Sequence, residues 1–553
     1  MKLRTSFTLV MATLMAVGCT NKSEQTQAVQ PDETFSESQA QANLTFAKNQ
    51  YLKMIDHIEN GRNLHFRPAC EADPTMICIP RSEEHGGIFM DKNEKWTNGF
   101  FPGLMWKLLA NKENVEWQSG EEQKLYNSAK YFQQALYGDA TLSSTHDLGF
   151  MLYDSFGEAL QYEGLDAQAR ELYRKLLDTG RATLSARYSD QKGVIKSWDF
   201  EPNMKLTTVE NGEQVVGLYS LANPWTYPVI IDNMMNLEYL LDSDVERYHE
   251  IAFTHAKTTL ANHYFYDESD SKKQFPLSYH VFDYGANKPG NWQGVGNISA
   301  WARGQGWSLY GYLTIVEAMD NAKIDLSEFP DFNAHLHRLL GSIEHLLEDG
   351  YVPYWDFFAA RDNAYEYAEN TSPETAVYSG ILELCSKRLE AHITPYKGYR
   401  PQTLDASLLS QESLDRLQGK INWYGEPVLQ GDKLVPCGSE PYPQSHQKIP
   451  RDTSAAALYA SALYRYATIA DDRAEKEKYA ALADNIMAEL TTQYRTDRNN
   501  SRPHSFDYGF VLAEATGDMG NAGEISTPIV YGDFYFVEAN IRKIAYEQSI
   551  IAP

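Results

Sequence analysis

The chain has 553 residues and carries 49 Lys and Arg against 75 Asp and Glu, a formal net charge of -26. That balance argues against a general nucleic-acid binder, which must neutralise phosphates, but it leaves room for a small anionic substrate wherever positive charge is gathered locally. Aromatic residues make up 12% of the chain, with 36 Tyr and 10 Trp, a weight that suits sugar recognition as well as ordinary packing.

The first 18 residues read as an export signal. Lys2 and Arg4 precede an apolar run over 7–17 that is too short to span a bilayer. Gly18-Cys19 then has the form of a bacterial lipoprotein cleavage site, with Cys19 as the acylated mature N-terminus; plain secretion is the alternative. Residues 19–43 are polar, with almost nothing to bury, and read as a flexible tether that would hold the protein off a membrane. The remainder, 44–553, reads as one catalytic domain. Cys70 and Cys78 are placed to close a small loop in an oxidising compartment, and no CxxC or zinc spacing occurs.

Helical periodicity is expected over 44–58, 104–109, 121–137, 151–162, 167–186, 229–239, 248–264, 301–318, 330–347, 455–467, 472–490 and 537–546. Asp452 is the expected N-cap of the helix beginning near 455. Short strands are expected near 278–281. A loop rich in Gly, Trp, His and Asp opens one helix, an ordinary amphipathic helix follows, and the pair recurs. No βα alternation and no strict sequence repeat appears. The predicted class is therefore all-α, an (α/α)6 barrel of six hairpins, with an open helical solenoid as the alternative. A ring of hairpins would collect the functional loops at one end. Residues 364–450 interrupt the rhythm with eight prolines; they read as an insertion, either over the pocket mouth or inert, with helices possible at 374–390 and 404–417.

Two carboxylates stand out by their company. Asp147 follows His146 and precedes Leu148-Gly149-Phe150; Asp232 lies between Val229-Ile230-Ile231 and Met234-Met235. An acid near a helix start can simply stabilise it. An apolar setting, however, favours a protonated carboxyl, as a proton donor needs, and a second, ionised carboxylate can stabilise developing positive charge. The stretch from His280 to Tyr312 gathers one imidazole, one guanidinium, three indoles and several amides, including Gln293, Arg303 and Trp307. Arg303 offers the positive spot for an anion, and if Trp301 opens the helix, Arg303 sits in its first turn facing the mouth. The tryptophans at 96, 225, 292, 301 and 307 are candidates for core or for sugar platforms. A metal site from His146, His280, Asp147 and Asp283 lacks a short ligand spacing, and no GxSxG supports a Ser-His-Asp triad.

These motifs resemble the unsaturated glucuronyl hydrolases, glycoside hydrolase family 88. The pieces that carry the resemblance are 96–103, His146-Asp147-Leu148-Gly149-Phe150, Ile231-Asp232-Asn233-Met234-Met235-Asn236-Leu237 and 279–283. They continue, in the same order, with Trp301-Ala302-Arg303-Gly304-Gln305-Gly306-Trp307, 352–357, Arg451-Asp452-Thr453-Ser454-Ala455-Ala456 and 531–535. The resemblance implies an (α/α)6 barrel acting on oligosaccharides left by polysaccharide lyases, whose non-reducing end is a 4,5-unsaturated uronate. It implies hydration of that double bond with no metal or organic cofactor. Carried over by position, Asp232 is the general acid/base and Asp147 the second essential aspartate. His146, His280, Gln293 and Arg303 are polar pocket residues, and Trp96, Trp225 and Trp307 are aromatic ones. The implied partners are an anionic oligosaccharide and, upstream, a lyase. The step from Asp356 to Arg451 is longer here than in the family, which leaves the leaving-sugar preference open. Other readings are a conventional glycosidase on saturated sugars and a non-catalytic sugar-binding lipoprotein.

Overall fold

A computed structural model describes residues 35–551 except 85, 200–205, 209–213, 217–224, 268, 291–292, 295–297, 349, 360–427, 431–432, 436–449, 500–503 and 519–523. The expected signal peptide, most of the tether, the helices at 374–390 and 404–417, and Trp292 lie outside the described residues. Of the expected insertion, only a hairpin pairing Val428–Gln430 with Lys433–Val435, and Pro450, are described.

The main folded unit runs from Glu33 to the C-terminus. Among the described residues, and setting aside the short helices Pro68–Ala72 and Ser505–Tyr508, twelve helices alternate along it: α1 Glu37–Glu59, α2 Phe100–Ala110, α3 Glu121–Gln133, α4 Glu158–Gln161, α5 Ala167–Ser185, α6 Asn236–Leu241, α7 Glu246–Asn262, α8 Ala302–Ala318, α9 Phe332–Leu346, α10 Thr453–Ile469, α11 Arg473–Glu489 and α12 Val530–Ile551. The even-numbered helices form an inner ring, with α2, α8, α10 and α12 almost wholly buried along their first three turns. The odd-numbered helices are amphipathic and lie outside, burying one stripe each. This is the predicted (α/α)6 barrel, closed rather than an open solenoid.

The inner helices run parallel, as their contacts show. At their N-terminal ends, Gly149 N–H donates to Asn236 Oδ1 at 2.9 Å, and Arg303 reaches Asp452 at 2.8 Å. A side chain at Gly99 would collide with the Phe150 carbonyl, so glycine is needed for that approach. Farther along the helices, Lys107 bridges Glu158 (2.6 Å) and Glu538 (3.0 Å), and Arg465 bridges Glu238 (3.2 Å) and Glu317 (2.5 Å).

Three expectations are corrected. The tether is shorter than 19–43: Ser36 and Gln39 form a capping box that starts α1 at Glu37, and Phe35, Ala40 and Leu44 are buried. Asp232 does not sit on a helix over 229–239. Pro228 and the β-branched residues after it form a strand, Pro228–Ile230, and the chain then tightens into a 3-10 turn over Ile231–Met235 before α6 begins. The helix expected at 151–162 is wound as a π-helix over Gly149–Gly157 before α4, a departure common beside functional sites.

Among the described residues, two sheets have three strands each. β1 Leu64–Phe66 lies parallel to β3 Gly87–Asp91, which pairs with β2 Ile79–Glu84. A disulfide joins Cys70 to Cys78, with Cα atoms 6.2 Å apart. β4 Pro228–Ile230, β5 Val281–Asp283 and β6 Lys288–Gly290 form a second sheet, with β5 in the middle. Among the described residues no helix is long and apolar enough to cross a membrane.

Candidate active site

The second sheet fixes one half of the site. β5 pairs antiparallel with β4 so that Val281 faces Ile230, and Ile231 N–H donates to the His280 carbonyl at 2.9 Å. The register therefore sets His280 beside Asp232, and their side chains meet with His280 Nε2 3.3 Å from Asp232 Oδ2. The Gln293 N–H donates to His280 Nδ1 at 3.3 Å, so the neutral ring carries its proton on Nε2, facing the carboxyl. Burial pushes the His280 imidazole down, against the pull of Asp232, so the ring is neutral. Asp232 is 7% exposed, and its Oδ2 has no aligned hydrogen bond among the described residues. Trp301 backs His280, ring centroids 4.2 Å apart.

The other half repeats the arrangement. His146 Nε2 lies 3.3 Å from Asp147 Oδ1. Asn236 orients that ring. Its Oδ1 is taken by Gly149 N–H, so its Nδ2 faces His146 Nδ1 at 3.5 Å and also donates to Asn233 Oδ1 at 2.9 Å. An amide nitrogen only donates, which again leaves the ring proton on Nε2. Asn236 thus ties the Asp147 loop to the turn that carries Asp232. The Thr145 hydroxyl donates to Asp147 Oδ2. Burial opposes ionisation of Asp147, but His146, Thr145 and Arg187 outweigh it and hold the carboxyl below the usual aspartate range. The two aspartates therefore differ in company: each has a histidine Nε2 at 3.3 Å, but Asp147 also takes the Thr145 hydroxyl, while Asp232 Oδ2 has no aligned hydrogen bond among the described residues.

The aromatic walls divide in the same way. Trp198 stacks on Trp225 at 5.8 Å and stands edge-on to His146 at 6.3 Å. Trp96 is half-buried and packs on Tyr531 at 4.8 Å and Phe150 at 5.5 Å, so part of its surface is open. Trp307, expected as a wall, is instead fully buried behind Phe150 and Tyr535, at 5.1 and 5.4 Å; it is a packing residue.

Arg303 occupies the first turn of α8 as expected, but it does not supply an unpaired cation. Its Nη1 donates to Asp452 Oδ2 (2.8 Å) and the Thr516 carbonyl (2.9 Å), and its Nη2 donates to the Gly517 carbonyl (2.7 Å). Asp452 also caps α10 as expected, through Ser454 and Ala455. The pair is almost wholly buried; it pins α8 to α10 and to the loop at 516–517, which also receives Gln293 Nε2 on the Gly517 carbonyl at 2.9 Å. Asp283 is likewise committed, accepting from the Thr226, Tyr227 and Gly285 N–H groups. The sequence reading missed Thr145, Asn236, Trp198 and Tyr531 as parts of the site. Asn236 and Tyr531 lie within the motifs quoted above; nothing local marked Thr145.

No family model matches the chain. It is 27% identical over 463 residues to an unsaturated glucuronyl hydrolase of Formosa agariphila, covering 82% of this chain and 80% of that protein. It is also 27% identical over 363 residues to an unsaturated chondroitin disaccharide hydrolase of Streptococcus agalactiae, covering 62% and 78% of the two chains. Among solved structures, an unsaturated glucuronyl hydrolase specific for heparin superimposes with a TM-score of 0.57 at 26% identity, over 93% of this chain and 99% of that one. The enzyme of the same name from Bacillus sp. GL1 shares the fold at 18% identity, with a TM-score of 0.55 over 92% and 96% of the chains. By its collinear motifs, its closed helical ring and these likenesses, the chain is similar to the unsaturated glucuronyl hydrolases and is a glycoside-hydrolase-like enzyme.

Proposed function

We propose that the enzyme hydrates the C4=C5 double bond of a non-reducing-end unsaturated uronate in lyase-generated oligosaccharides. The relatives' names favour glycosaminoglycan fragments as one source. The observation that carries the reading is the unlike company of the two aspartates. Asp232 delivers a proton to C4, and positive character develops at C5 and the ring oxygen. Asp147, held ionised, stabilises that charge and orients the ring. The Asp232 carboxylate then takes a proton from water as the oxygen adds to C5, which restores the acid. The hemiketal so formed opens to a ketone, and the hemiacetal left at C1 releases the remaining sugar. The net change is addition of water and loss of one sugar, with no redox step. His280 Nε2–H steadies Asp232 in its ionised phase.

The same reading places the enzyme outside the cytoplasm, anchored through an acylated Cys19 in the periplasm or on the outer membrane, downstream of a polysaccharide lyase. The Cys70–Cys78 disulfide supports an oxidising compartment.

The test is to mix the protein with unsaturated disaccharides from chondroitin, hyaluronan, heparin and ulvan and follow the ultraviolet absorbance of the double bond. Loss of absorbance on any of them is the expected result. Release of sugar from a saturated glucuronide with no loss on the panel would overturn it.

A further inference from the structure

With Arg303 neutralised by Asp452, the described residues around Asp147 and Asp232 include no unpaired cation to meet an anionic sugar. Lys95 is an unpaired cation next to one of the aromatic walls. It directly precedes Trp96, at the turn that opens α2. Its side chain is half-buried, yet among the described residues it has no hydrogen bond and no acid within ion-pair distance. The charged groups around it are Asp91, Arg67, Arg81 and Lys92, and each of the other cations has its own acid. Arg67 holds Asp91, with Nη2 at 3.0 Å from Oδ2. Arg81 reaches Asp91 at 3.3 Å and takes both oxygens of Glu524, at 2.6 and 3.0 Å. Lys92 pairs with Glu94 at 2.7 Å. Asp91, fully buried, is thus already shared by two guanidinium groups.

Burial pulls the Lys95 ammonium down to about 8, the response of a lysine partly shielded from water without a close counter-ion. Such a charge is costly to keep, so a lysine retained there for structure alone would be expected to have a partner. The backbone just before it is unusual too: Glu94 has φ of 67°, a left-handed conformation that side chains rarely adopt and that tends to persist where function needs it. A continuous line of contacts joins this corner to the chemistry. Trp96 packs on Tyr531, Arg303 lies 5.0 Å from the Tyr531 ring and 4.5 Å from Trp301, and Trp301 backs the His280 that faces Asp232.

We propose that Lys95 is a specificity-determining residue that receives an anionic group of the oligosaccharide, a carboxylate or a sulfate, on a ring lying against Trp96. This rests on the reaction proposed above. A sugar face on the indole and an anion on the ammonium would together set how far the substrate enters, and the bound anion would supply the counter-ion that the protein withholds.

The experiment compares wild type with Lys95→Met, which keeps the apolar stem, and Lys95→Arg, which keeps the charge. The substrates are unsaturated disaccharides with and without sulfate, and their carboxyl methyl esters. Lys95→Met should lower kcat/KM by about tenfold or more on the anionic sugar, mainly through KM, and Lys95→Arg should restore most of it. If the carboxylate is the ligand, the gap between wild type and Lys95→Met closes on the methyl ester; if the sulfate is, it closes on the unsulfated sugar. Equal kinetics on every substrate would overturn the proposal, as would a loss of the same size on all of them. Calorimetric binding of the same disaccharides separates this from the reaction itself. If wild type binds but does not turn over, the reaction assignment fails, and Lys95 stands or falls on whether Lys95→Met binds more weakly. If wild type neither binds nor turns over, both fail.

Discussion

His280 Nε2 lies 3.3 Å from Asp232 Oδ2, and the Gln293 N–H on the far ring nitrogen turns the imidazole proton toward that carboxyl. The Asp232 Oδ2 has no aligned hydrogen bond among the described residues, which leaves it open to a substrate. Asp232→Asn should therefore lower the turnover of unsaturated disaccharide by about 10²- to 10⁴-fold while binding survives. Absorbance kinetics and calorimetry on the same sample read both quantities, and turnover at the wild-type rate would remove Asp232 from the proton step.

Asp147 gives a pH signature. His146, Thr145 and Arg187 hold its carboxyl below the usual aspartate range against the effect of burial. A depressed carboxylate stays ionised until the pH falls through its lowered pKa, so activity that depends on its charge is present above that point and lost below it. Thr145→Val removes one hydrogen bond to the ionised form, which moves that loss to higher pH. The acid limb of the kcat/KM profile should rise in the variant, and an unmoved limb would mean that Asp147 does not govern it.

Arg303 and Asp452 are predicted to matter for stability as well as for activity. Removing one member strands the other in a site where both are almost wholly buried. Arg303→Ala should cost about 3–5 kcal/mol in urea unfolding. Arg303→Met combined with Asp452→Asn should recover part of the loss, because the stranded charge is then gone. An Arg303→Ala protein as stable as wild type would contradict the buried pairing.

Glu538 lies in the third turn of α12, inside the ring. Lys107, Arg542 and the Ser461 hydroxyl outweigh burial and bring its carboxyl down to about 2. Because the folded pKa is depressed, its contribution is complete above the ordinary glutamate range and disappears as the pH falls toward about 2. Glu538→Gln should destabilise the protein by about 3–5 kcal/mol at neutral pH. The gap in Tm between variant and wild type should narrow on acidification, and a gap that stays constant with pH would rule out the charge as its cause.

The ring was legible because its cause is local: each inner helix follows a glycine- and aromatic-rich loop, and each outer one shows a plain apolar stripe. The Asp452 cap was legible for the same reason, since its bonds reach only two and three residues ahead. The strand before Asp232 was missed because Val229, Ile230 and Ile231 suit a helix interior or a strand equally on pattern alone, and the choice is made by pairing with a segment about fifty residues later. The fate of Arg303 was hidden for a stronger reason. Its partner is 149 residues away, and whether a guanidinium is spent or available depends on that distant carboxylate. Trp307 was misjudged because an indole in a sugar-handling motif carries no local mark of which side of the wall it lies on.

The parallel inner ring has an electrostatic consequence. Peptide dipoles add along each helix and leave partial positive charge at its N-terminus. The long helices α2, α8, α10 and α12 all begin at the end where Asp147 and Asp232 stand, so their positive ends point at the same small volume. In a chain whose formal charge is -26, most of the surface repels an acidic sugar, and the mouth of the ring is where the backbone itself counters that repulsion.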